Sequence, residues 1–237
     1  MTMPTASTAR VLVAEGLGTA LLLAIVVGSG IMGARLSGGN DAIALLGNTL
    51  ATGAGLIVLI HIFGPISGAH FNPVVTLAAL VARQRTPAHA AAIIGAQFAG
   101  ALVGVWAAHL MFDEPVLLVS AKLRSGGAQT FAEAVATFGL IGTILGTQRA
   151  RPEFTPVAVG LYITSAYWFT ASTSFANPAV TLARSLTASF AGIAPASVPG
   201  FLLGQVLGGA AGFVLFEWLL ARPGQDLPVD EFQGTET

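Results

Sequence analysis

Cysteine is absent from this chain and charge is scarce, at 9% of residues. Without cysteine there can be no disulfide, no thiolate metal site and no thiol catalysis. A soluble domain carries roughly 25% charged residues, so the second shortage speaks against a water-facing fold. The charges nearly cancel, at −1, and form neither a basic run nor an aromatic and basic face, which argues against a nucleic-acid partner. Nothing equips the chain as an enzyme either: no nucleophile and base pair, no cluster of metal ligands and no phosphate-cradling loop. Neither a cofactor nor a metal is expected.

What the chain does have is apolar sequence, 54% of 237 residues, with a mean hydropathy of +0.78. At about 20 apolar residues per crossing of a ~30 Å hydrocarbon core, that length allows about six or seven spans and no additional globular domain. Apolar stretches lie near 11–33, 42–64, 88–111, 129–148, 157–173 and 198–220, so we expect a single all-α membrane domain over 1–237 in contact with the lipid bilayer. Met1 to Arg10 is short and polar before a long apolar stretch, which fits a retained first span better than a cleaved signal. Residues 223–237 place Asp226, Asp230, Glu231 and Glu236 among prolines and glycines and read as a disordered, solvated tail. Cytoplasmic termini would put Arg10, Arg83, Arg85, Arg149, Arg151 and Arg222 inside, against Arg35, Lys122, Arg124 and Arg184 outside. That excess favours both termini on the cytoplasmic side of a bacterial inner membrane.

Two polar interruptions stand out. Asn72-Pro73-Val74 and Asn177-Pro178-Ala179 each run into Val-Thr-Leu-Ala. Asparagine caps helices and proline suits the first helical position, so each is the start of a helix. The segments 72–82 and 177–187 are too short to cross the membrane at 1.5 Å per residue and reach only about half way. One follows span two and the other span five. Glu15 early in span one is echoed by Glu133 early in span four, and Gln97 in span three by Gln205 in span six. Each half, about 8–112 and about 126–222, holds an odd number of spans, so the repeat is inverted. Two half-helices then direct the positive ends of their dipoles at mid-membrane, which opposes cations. The Asn72 and Asn177 amides could donate to the oxygen of a neutral solute there.

With this order of spans and paired half-helices, the chain resembles the aquaporin and aquaglyceroporin family, the major intrinsic proteins, over nearly its whole length. The resemblance is carried by Ser67-Gly68-Ala69-His70-Phe71-Asn72-Pro73-Val74-Val75-Thr76, by Phe175-Ala176-Asn177-Pro178-Ala179-Val180-Thr181, by Glu15 and Glu133, and by the surroundings of Gln97 and Gln205. It implies six tilted helices around a single-file pore, usually in a homotetramer, with Asn72 and Asn177 facing each other across the pore. The family's second motif normally continues with an arginine that reaches into the outer constriction, where this chain has Val180. By the same comparison the bulky aromatic of water-selective members falls on Thr52, and the loop filter position on Ser174. The span-five position falls on Tyr167 when anchored on Gly160 and on Ser165 when counted back from Asn177; Tyr167 is preferred. Arg184 suggests itself as a substitute for the missing arginine, since it shares a face with Asn177, but it lies roughly 10 Å further along the axis and is expected nearer the external mouth, acting on entry.

The resemblance therefore implies a passive channel for water and small uncharged solutes, such as glycerol-like polyols. Valine in place of the arginine resembles a bacterial branch associated with arsenic, which brings in neutral metalloid hydroxides. Alternatives are a water-selective channel and, in another class, a secondary transporter, which also uses inverted repeats but needs a coupling site. Glu15 and Glu133 are the few interior candidates for such a site, yet holding the loop backbone of their own halves suits them better. His70 fits a hydrogen bond within its loop, and His61 has no assigned role. With no thiol to modify, flux should be insensitive to mercurial reagents. Rapid inhibition reversed by added thiol would contradict this.

Overall fold

The structure, a computed structural model, describes residues 6–221; Arg222 and the acidic segment 223–237 lie outside the described residues. Among the described residues the regular elements are helices: α1 (Thr8–Leu36), α2 (Asp41–Ser67), α3 (Pro73–Val81), α4 (Pro87–Met111), α5 (Gly127–Ala150), α6 (Thr155–Phe169), α7 (Pro178–Arg184) and α8 (Val198–Leu219). The helix starts follow local chemistry. Asn40, Asn72, Thr86 and Asn177 each cap the helix that follows by accepting backbone N–H groups, and proline occupies an early position in α3, α4 and α7.

Among the described residues five helices are long and apolar enough to cross a membrane: α1, α2, α4, α5, and α8 together with the 3-10 turn Pro195–Ser197 before it. The sixth span is shorter than its apolar stretch implied. α6 has 15 residues, or about 22 Å at 1.5 Å per residue, and the 3-10 turn Pro152–Phe154 lengthens it at the start. It stops at Phe169 because Thr170 turns extended, with φ −106° and ψ 136°. The Thr170 hydroxyl bonds back to the Ala166 carbonyl at 2.7 Å. Hydroxyl residues from Thr170 to Ser174 compete with the helix for backbone partners, although hydropathy carries on through them. α7 likewise ends at Arg184, three residues before the expected limit of 187, where the Ser185 hydroxyl takes the Leu182 carbonyl.

Packing repeats between the halves. α1 lies along α4 and α2 in the first half, as α5 lies along α8 and α6 in the second; α2 meets α6 and α3 meets α7 across the middle. A close approach of backbones recurs in register. A Cβ on Gly100 of α4 would lie 2.0 Å from the Gly16 carbonyl oxygen, and one on Gly208 of α8 would lie 2.0 Å from that of Ala134. Each glycine stands three residues after Gln97 or Gln205, and each carbonyl belongs to the residue after Glu15 or Glu133. Close contact of these backbones therefore brings the glutamine and glutamate of each half together.

Gly100→Ala should consequently lower thermal stability in detergent, by about 1–3 kcal/mol from forced separation of the helices. Gly95, where an added Cβ meets nothing within 4 Å, serves as the control. Equal melting temperatures for the two alanine variants would refute this account of the packing.

Candidate functional site

A cavity of about 120 Å³ runs along the contact between the halves, its lining extending from Gln84 and Gln148 to Tyr167 and Arg184. Leu22, Val26, Leu56 and Ile163 form apolar wall, whereas the loops Gly68–Asn72 and Ser174–Asn177 supply polar backbone. Asn72 and Asn177 both line it. The Asn72 side-chain oxygen accepts from Val74 N at 2.9 Å and its Nδ2 donates to the Ala176 carbonyl at 2.7 Å. Asn177 mirrors this, accepting from Ala179 N at 3.0 Å and donating to the Phe71 carbonyl at 2.7 Å. Each asparagine thus caps its own helix and ties down the loop of the other half. An amide carries two N–H groups, so one on each remains for whatever occupies the cavity.

The loops hold a conformation that L-residues avoid. Residues one and three positions before each asparagine have positive φ: Phe71 at 48° and Ala69 at 50°, Ala176 at 49° and Ser174 at 48°. Such residues cost of order 1–3 kcal/mol each and persist only where the surroundings dictate them. Here the surroundings are two buried carboxylates. Glu15, with 0% exposure, accepts from His70 N at 2.9 Å, Phe71 N at 2.8 Å and the Ser67 hydroxyl at 2.7 Å. Glu133, also with 0% exposure, accepts from Phe175 N at 2.9 Å and Ala176 N at 2.8 Å. Gln97 donates to Glu15 and to Thr76, as Gln205 does to Glu133 and Thr181, so each carboxylate is itself held in place. With the loop N–H groups turned to carboxylates, the carbonyls are what those peptides can offer the cavity.

Thr52, Tyr167, Ser174 and Val180 all line this one cavity. The Tyr167 hydroxyl donates to the Thr52 hydroxyl at 3.4 Å, and the buried Ser174 hydroxyl has no hydrogen-bond partner. Ser165 does not join them: it is exposed, and its hydroxyl bonds back to the Tyr162 carbonyl at 2.7 Å. His70 lines the cavity and bonds Thr76 Oγ1 at 3.1 Å, whereas His61 is exposed and bonds only the Ile57 carbonyl one turn back. Arg184 departs from expectation. Rather than standing at an open mouth it is 2% exposed, because its side chain folds inward over the Phe175 ring. Phe175 lines the cavity and was not legible as a site residue; Arg124, outside the lining, supports the same loop from the connection before α5, its guanidinium donating to the Ser172 carbonyl and the Thr173 hydroxyl.

The family model described as Major intrinsic protein matches residues 2–174. The chain belongs to the major intrinsic protein family. Aquaglyceroporin AqpS of Rhizobium meliloti is 56% identical over 213 residues, covering 89% of this chain and 91% of that relative. Aquaporin Z of Bradyrhizobium diazoefficiens is 31% identical, covering 89% and 93% of the two chains. The solved aquaglyceroporin of Plasmodium falciparum superposes with a TM-score of 0.70 over 90% of this chain and 95% of its own, at 19% identity, and so shares the fold. As a member of this family the protein is an integral membrane channel for water and small solutes and not an enzyme.

Removing a loop-holding carboxylate should be severe. Glu133→Ala strips partners from two buried backbone donors, each worth about 1–3 kcal/mol when orphaned. Thermal unfolding should register a loss of at least about 2 kcal/mol, and flux in liposomes should fall with it. An unshifted melting curve would mean that the loops stand without Glu133.

Proposed function

We propose that this protein is a passive, wide-filter channel for small uncharged hydroxylated solutes: glycerol-like polyols and neutral metalloid hydroxides such as undissociated arsenite, with water also passing. Val180 carries the reading. It lines the cavity at the first turn of α7, where a short apolar side chain leaves space, and Thr52 and Ser174 beside it are small. The name of the aquaglyceroporin relative supports polyols. In this scheme Asn72 and Asn177 donate to solute oxygens while loop carbonyls accept from solute hydroxyls. The apolar wall gives an ion nothing in exchange for its hydration, and the converging N-termini of α3 and α7 oppose cations. The membrane is a bacterial inner membrane, both termini are cytoplasmic, and the functional assembly is a homotetramer with one pore per subunit.

Stopped-flow light scattering on proteoliposomes tests this. The wild type should pass water, glycerol and neutral arsenite, and Val180→Arg should lose the two larger solutes, by about tenfold or more, while keeping water. If the wild type passes water alone, the residues Thr52, Ser174 and Val180 do not widen the pore.

A further inference from the structure

We propose that Arg184 is the charged member of the outer constriction, supplying from one turn further along α7 the positive charge that Val180 lacks. Residues four apart share a helical face, so Arg184 stands directly beyond Val180. Helical side chains lean toward the N-terminus of their helix, and the N-terminus of α7 lies at mid-cavity. The arginine therefore points back into the pore, into room that a larger residue at 180 would occupy. Its surroundings bear this out. The guanidinium carbon lies 3.4 Å from the centroid of Phe175, two residues before the Asn177 cap and well inside the mouth. Nε donates to the Ala191 carbonyl, which anchors the head group. Nη1 is buried, has no hydrogen-bond partner, and belongs to a side chain that lines the cavity with Tyr167, Ser174 and Val180.

Nη1 has essentially no accessible surface and no hydrogen-bond partner, a costly and uncommon state for a donor. What the side chain presents to a permeating molecule is its positive charge, which pairs with no carboxylate among the described residues. Arg124 strengthens the field from the other side, with its guanidinium carbon 5.4 Å from the same Phe175 ring while it holds the Ser172 carbonyl. Placed together, these groups bar cations without a cationic side chain at 180.

The inference rests on the channel reading, and the experiment separates the two. Sodium leak, water flux and glycerol flux are measured in the same proteoliposomes for wild type, Arg184→Met and Arg184→Lys. The wild type should pass water and glycerol and exclude sodium. Arg184→Met should raise sodium leak at least about tenfold, since a unit charge is removed from beside a narrow path. A wild type that passes neither solute overturns the channel reading and this inference with it. A conducting wild type whose Met variant still excludes sodium overturns the role of Arg184 alone. If the Met variant fails to fold, Arg184→Lys decides: charge without the planar fork should keep sodium out yet change the glycerol-to-water permeability ratio about two- to threefold. An unchanged ratio overturns the inference.

Discussion

The structure depends on two carboxylates that have no access to water. Non-helical backbone inside a membrane is tolerated only where its polar groups find partners or line a polar cavity. Glu15 and Glu133 satisfy the first condition for the loops before Asn72 and Asn177 by accepting their N–H groups, and the cavity satisfies the second for the carbonyls. Every other polar feature of the site follows. The glutamines fix the carboxylates, the glycines three residues on let the helices come close enough for the glutamines to reach, and the asparagines lock each loop to the opposite half.

These contacts also argue for a fixed pore over an alternating one. A carrier must let its halves rock against each other. Here each half's loop conformation depends on a hydrogen bond from the other half's asparagine, in both directions, with 2.7 Å contacts at mid-cavity. Moving the halves apart would break both bonds at once and leave strained, positive-φ residues without support. The glutamates, fully engaged as acceptors from their own loops, are structural anchors with little freedom to shuttle protons.

Much of this was legible in the sequence, because it rests on spacing. Asn-Pro before an apolar turn dictates a capped helix of limited length, and the recurrence of Glu15 and Gln97 as Glu133 and Gln205 reports a repeated contact. The left-handed loop residues were not legible. Positions that usually call for glycine are occupied by Ala69, Phe71, Ser174 and Ala176, and only the buried carboxylates explain how they are held. The end of α6 was misplaced because hydropathy does not register the competition of Thr170 for backbone partners. Counting alone leaves the span-five position open between Tyr167 and Ser165, because the spacing from Gly160 to Asn177 is short; of the two, Tyr167 lines the cavity and Ser165 is exposed. The burial of Arg184 was not legible for a different reason: the rise per residue locates a Cα, whereas a long side chain can reach back about one turn toward the start of its helix.

That last point has a consequence for selection in such pores. Steric exclusion acts only at contact, so the width of a constriction is decided by the few side chains at its narrowest level, proposed for this protein to be Thr52, Ser174 and Val180. Electrostatic exclusion falls off only as the inverse of distance and is weakly screened where water is scarce. A cation barrier need not sit at the level that limits size. On the role proposed for Arg184, its Cα stands one turn beyond Val180 while its guanidinium, steadied by an aromatic ring and a backbone carbonyl, reaches back beside it; size and charge would then be selected by different residues, and a pore could widen for hydroxylated solutes without opening to ions.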